Sequence, residues 1–128
     1  MNVIITGASK GLGKAIAEKF AEAGNHLIIC SRNESLLLAT KEELLKKNSD
    51  CKVEVMATDL RKKENAVAFG NFCFQFGAPE ILINNAGSFL PGSVHTEKEG
   101  VLEKMMEVNL NSAYHLTRIL LPKMMKAR

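Results

Sequence analysis

Cysteine, tyrosine, tryptophan and excess charge are all scarce in this chain, and each scarcity excludes something. The three cysteines, Cys30, Cys51 and Cys73, are odd in number, widely spaced and free of any CxxC pair. Neither a disulfide framework nor a thiolate metal site is expected from them; free thiols in a reducing, cytoplasmic setting are. His26, His95 and His115 lack the close spacing of metal ligands. No apolar run approaches the ~18 residues of a membrane span. The opening MNVIITGASKG has no basic stretch followed by an apolar one, so a secretory leader is not expected. Seventeen Lys and Arg against fourteen Asp and Glu leave a net charge of +3. That surplus is too small to point to a nucleic-acid or polybasic membrane partner. A single tyrosine adds little for stacking on bases.

What is present fits one globular domain spanning residues 1–128. Hydrophobic residues make up 46% and charged residues 24% of the 128. A chain of this size buries roughly two-thirds of its unfolded surface and needs no covalent staple. The apolar pattern alternates between two periods. Val3 to Ile5, Leu27 to Cys30, Val53 to Met56 and Ile81 to Ile83 read as four short strands. Between them, helical spacing links Ala15, Ile16, Lys19, Phe20 and Ala23, then a helix from about Glu34 to Lys47, then Val67, Phe69, Phe72, Cys73 and Phe76. Gly24-Asn25 and Gly77 with Pro79 are stop signals. From Thr96 the chain reads as helical to its end, with Thr96 and Glu99 at capping-box spacing. The strands are continuously apolar, which is the mark of burial on both faces. The expected class is α/β, a parallel sheet with helices on both faces.

Thr6-Gly7-Ala8-Ser9-Lys10-Gly11-Leu12-Gly13 joins the first strand to the first helix. Gly7 permits a sharp turn, Gly11 a close backbone approach, and Gly13 tight packing of the helix. The helix start then offers unpaired N–H groups and a positive dipole end, which suit a pyrophosphate. No Gly-Lys-Ser/Thr is present, which disfavours a nucleotide triphosphatase.

With Asp59-Leu60, Asn84-Asn85-Ala86-Gly87 and Val108-Asn109 following in order, the sequence resembles the short-chain dehydrogenase/reductase family along its whole length. Its tone is most similar to the 3-oxoacyl-(acyl carrier protein) reductases. The resemblance implies a Rossmann-type sheet of strand order 3-2-1-4 and an oxidoreductase using NAD or NADP on a small carbonyl or alcohol substrate. It places the cofactor against Gly7, Ser9, Lys10, Gly11, Leu12, Gly13, Ser31, Arg32, Asp59, Leu60, Asn85, Ala86 and Gly87. Where an NAD site usually carries a carboxylate stands Ser31, followed by Arg32. A guanidinium can hold a 2′-phosphate, and Lys10 can add a second cation, so NADP is expected over NAD. Asp59 either accepts from the adenine amino group or caps the helix after it. Asn84 either satisfies neighbouring strands or contacts the ligand directly. Asn109 matches the family's catalytic asparagine, and an asparagine in mid-helix also tends to bend the helix.

The family's serine and its Tyr-x-x-x-Lys pair are not found. Tyr114 comes too soon after Asn109, and Arg118 cannot replace a tunable lysine. Tyr114 is expected to pack, on the stripe Leu110, Ala113, Thr117, Leu121 and Met124. The chain therefore reads as the N-terminal part of an enzyme, truncated after the fourth strand and its helix and inactive alone. A non-catalytic dinucleotide-binding module or sensor is the alternative. The unpaired edge at Ile81 to Asn84, and a last helix with Leu116, Ile119, Leu120, Met124 and Met125, point to a homo-oligomer.

Overall fold

The computed structural model describes residues 1–127. Four strands, β1 (Asn2–Thr6), β2 (His26–Ser31), β3 (Lys52–Ala57) and β4 (Ile81–Ile83), form a parallel sheet in the order β3-β2-β1-β4. Helices α1 (Gly11–Glu22), α2 (Glu34–Leu45) and α3 (Lys63–Cys73) alternate with the strands, and a 3-10 turn at Phe74–Phe76 extends α3. After β4 come α4 (Val101–Met106), a π-helical segment at Glu107–Asn111, and α5 (Ser112–Lys126). The Rossmann-type order expected from the resemblance is the order observed.

The continuous apolar strands divide by parity between two cores. Val3, Ile5, Leu27 and Ile29 face Ala17, Ala21, Leu37 and Leu44, and so α1 and α2. Ile4, Ile28 and Cys30 face Phe69, Leu116 and Leu120, and so α3 and α5. Neighbouring residues of a strand point to opposite faces, so a run without polar residues means helices on both sides. Gly70 of α3 makes room for Ile119 of α5, which lies where a β-carbon at residue 70 would be. β1 and β2 are central and fully covered. β4 has β1 on one side only among the described residues, and all three of its residues are half-buried.

The structure departs from the local reading at the last helix. Residues 97 and 98 carry no regular structure, and Thr96 donates its hydroxyl to the Ser93 carbonyl rather than capping a helix. Gly100 at φ +91° breaks the path, and α4 starts only after it. A capping box needs its four residues at one helix start, and a left-handed residue between them and the helix prevents that. The expected stripe is also corrected. Ser112, Leu116 and Leu120 form the buried side of α5, whereas Leu110, Tyr114 and Leu121 are exposed.

Candidate dinucleotide site

An open cleft of about 680 Å³ lies at the carboxyl ends of all four strands. Its lining follows each strand end in turn: Gly7 and Ser9 to Gly11 after β1, Cys30 to Asn33 at the end of β2, Thr58 to Arg61 after β3, and Asn85 to Gly87 after β4. This is where open α/β sheets bind ligands, because the strand ends and the helix starts face the same way.

The loop after β1 is held by long-range contacts. The Gly7 and Ala8 amides donate to the Cys30 carbonyl at 2.9 and 3.2 Å. The Asn85 side chain donates to the Gly7 carbonyl at 3.0 Å. The buried Thr6 hydroxyl accepts from the Asn85 and Ala86 amides at 3.0 and 2.8 Å. From α2, the Thr40 hydroxyl, whose shorter bond is to the Leu36 carbonyl at 2.9 Å, also lies 3.3 Å from the Ser9 carbonyl. Gly7 at φ +65° and Gly11 at φ +59° occupy the left-handed region that glycine adopts without strain. Gly13 has a different role: a β-carbon there would run into the Gly7 carbonyl oxygen and the Asn85 amide nitrogen.

The two helix starts facing the cleft differ. Asn33 caps α2 by accepting from the Leu36 amide at 3.0 Å. No side chain caps α1, and no acidic residue stands in its first turn. Its orphan amides and positive dipole end are therefore left for an outside acceptor. At Gly11 a β-carbon would meet nothing within 4 Å, so the backbone is open to close approach.

Charge on the cleft is predominantly positive. Lys10, Arg32 and Arg61 line it together with one carboxylate, Asp59. The four ion pairs among the described residues involve Lys14, Lys19, His26 and Arg61, and neither Lys10 nor Arg32. Asp59 is gripped by Arg61: Nε lies 3.0 Å from each oxygen, Nη2 is 2.6 Å from Oδ2, and the Arg61 main-chain amide donates to Oδ1 at 3.1 Å. The Arg61 guanidinium holds the carboxyl below the usual aspartate value, and Arg32 adds to the effect. Helix capping by Asp59 is not seen, since Lys62 precedes α3; the side chain closes a tight turn onto Arg61 instead. Burial pushes the Cys30 thiol up, so this cysteine stays a neutral core residue beside the loop.

The cleft gathers Gly7, Ser9, Lys10, Gly11, Ser31, Arg32, Asp59, Leu60, Asn85, Ala86 and Gly87. Leu12 and Gly13 are not part of its lining; Leu12 is 70% exposed and Gly13 is packed beneath the loop. Asn109 also stands off the lining. Its Oδ1 accepts from the Ser88 amide at 2.6 Å and its Nδ2 donates to the Ser88 carbonyl at 2.8 Å. It sits in the π-helical segment, in keeping with an asparagine that disturbs its helix. Asn84 donates to the Thr117 hydroxyl of α5 at 3.0 Å rather than to a strand, and the neighbouring Asn85 is the residue that ties β4 to the loop. Sequence reasoning did not single out Asn33, Leu36, Thr58, Arg61 or Val108 as lining, nor Thr40 as an anchor. Asn33 alone had a local signal, as a capping residue before an apolar helix.

Comparison with known proteins agrees with this geometry. The family model described as short chain dehydrogenase matches residues 1–128. Dehydrogenase/reductase SDR family member 7B of Xenopus laevis is 37% identical over 98% of this chain and 41% of its own length. L-sorbose reductase of Gluconobacter frateurii, solved with NADPH and L-sorbose, superposes with a TM-score of 0.92 at 30% identity, over 98% of this chain and 48% of that one. A metagenomic short-chain oxidoreductase in complex with NADP gives 0.91 at 31%, over 99% and 57%. The chain spans less than half the length of the curated relatives it matches. By matched family model and by shared architecture, the chain belongs to the short-chain dehydrogenase/reductase family.

Proposed function

We propose that this chain binds NADP, in preference to NAD, and forms the N-terminal dinucleotide-binding part of an oxidoreductase acting on a small carbonyl or alcohol. The observation that carries the reading is the uncapped start of α1, set at an open glycine loop beside two cations, Lys10 and Arg32, that form no ion pair among the described residues. The fit to a dinucleotide is direct. The amides of the loop and of the first turn of α1 would take the diphosphate. Ser31, Arg32 and Lys10 would take the 2′-phosphate, where a carboxylate would repel it. Asp59 and Leu60 would border the adenine, and Asn85, Ala86 and Gly87 the adjoining ribose. Both neighbouring structures named above hold NADP or NADPH, which supports the choice.

The bound nicotinamide would supply or accept a hydride. Asn109, clamped on Ser88, would fix the segment after β4 and serve the proton relay. The serine and the Tyr-x-x-x-Lys pair of the family do not occur among these 128 residues. Turnover is therefore proposed for a polypeptide that carries them, and binding alone for this one. A homo-oligomer is also proposed. Of the apolar residues on the last helix, Leu116 and Leu120 are buried against the sheet. The face left free on α4 and α5 is Leu102, Met106, Leu110, Tyr114, Leu121 and Met125, all exposed.

Calorimetry with NADPH and NADH tests the assignment. NADPH is expected to bind more tightly. Arg32→Ala should cut that preference by roughly tenfold, the scale of one hydrogen bond to a charged group. Equal affinities in the parent chain would remove the NADP reading, and no binding of either would remove the dinucleotide reading.

A further inference from the structure

Arg61 lines the cleft, yet its Nε and Nη2 are turned onto Asp59. The ends of β2 and β3 are in register, Ser31 opposite Ala57, and the Thr58 amide donates to the Ser31 carbonyl at 2.9 Å. Arg32 and Asp59 therefore leave adjacent strand ends and line the same cleft. Left alone, such a pair would close on itself, because a guanidinium fork and a carboxylate match in shape and charge. They do not, because Arg61 already covers both carboxylate oxygens. A carboxylate offers about four acceptor positions, and Arg61 engages both oxygens with three hydrogens: one Nε–H shared between them, one from Nη2 to Oδ2 and its main-chain amide to Oδ1.

Resting on the NADP reading, we infer that Arg61 is a positioning residue for cofactor choice: by occupying Asp59 it leaves the neighbouring Arg32 free for the 2′-phosphate. Two effects follow from one contact. Arg32 keeps its donors available, and the negative charge of Asp59 is offset where a dianionic phosphate would arrive. An unpaired Asp59 would reverse both, competing for Arg32 and repelling the phosphate. Arg61 does this without touching the cofactor's phosphate itself.

A two-variant cycle on the 128-residue chain separates this from the simpler possibilities. The readout is the ratio of NADH to NADPH dissociation constants by calorimetry. Arg61→Ala should lower the ratio by roughly threefold to fivefold, the range of a partly exposed charge pair. Asp59→Asn combined with Arg61→Ala should restore it, because the competing carboxylate is gone, even if both cofactors bind more weakly. An unchanged ratio in Arg61→Ala overturns the inference. So does a loss that persists in the double variant, which would mean that Arg61 meets the phosphate directly. Either result leaves the NADP reading standing, provided that the parent chain prefers NADPH. A parent chain that binds neither cofactor, or both equally, removes reading and inference together.

Discussion

Gly13 illustrates how one residue governs the site without touching a ligand. It carries an ordinary helical backbone, so no conformational argument demands glycine there. The demand is spatial: the Gly7 carbonyl and the Asn85 amide occupy the space of a β-carbon. Both belong to the hydrogen-bonded lattice that sets the loop, so neither can yield without the other. Gly13→Ala should therefore destabilise the fold by about 1–3 kcal/mol, as overpacking does. It should also weaken NADPH binding, since the displaced groups are those that shape the proposed diphosphate cradle. Urea unfolding and calorimetry on the variant check the two effects. Unaltered affinity would show that the loop's position is not critical. Little of this was readable in sequence. The glycine spacing was visible, but the Asn85 contact joins residues 78 positions apart.

At the scale of elements, α4, the π segment and α5 expose a row of large apolar side chains, broken once where Arg118 donates to the Tyr114 hydroxyl. Leu102, Met106, Leu110 and Tyr114 recur every four residues, and Leu121 and Met125 extend the line to the end of α5. The inner face of the same helix is used up against α3 and the sheet through Leu116 and Leu120. An exposed line of this length favours burial against a partner. A second copy of the chain is the proposed cover, and Leu110→Arg in its middle should shift the assembly to monomers in sedimentation velocity. A parent chain that is already monomeric at high concentration would contradict the oligomer. The sequence pattern identified a helix with too many apolar residues for one face. It did not say which face the sheet would take, and so it put Tyr114 on the packed side.

Across the whole molecule, the sheet order places four strand ends, two helix starts and three basic residues around one cleft. That arrangement suits the dinucleotide binding proposed above, and the Tyr-x-x-x-Lys spacing of the family does not occur in the 128 residues. The 128-residue chain is accordingly expected to give no NADPH-dependent reduction of a ketone in a spectrophotometric assay while still binding NADPH. Measurable turnover would overturn the division of labour proposed here.

Composition and apolar periodicity by themselves determined the alternating elements and their parallel, doubly covered arrangement; the family blocks added the strand order. Burial on both faces leaves a continuous apolar run that needs no knowledge of partners. The same was true of the glycine turn and of Arg32 in place of a carboxylate, both short local signals. Only the tertiary structure decided the start of α4 after Gly100, the exposure of Tyr114, the pairing of Asn84 with Thr117, and the commitment of Asp59 to Arg61. In each case competing local interactions were available to the same residues. The choice among them was made by packing and hydrogen bonds whose partners come together only when the strands and helices have assembled.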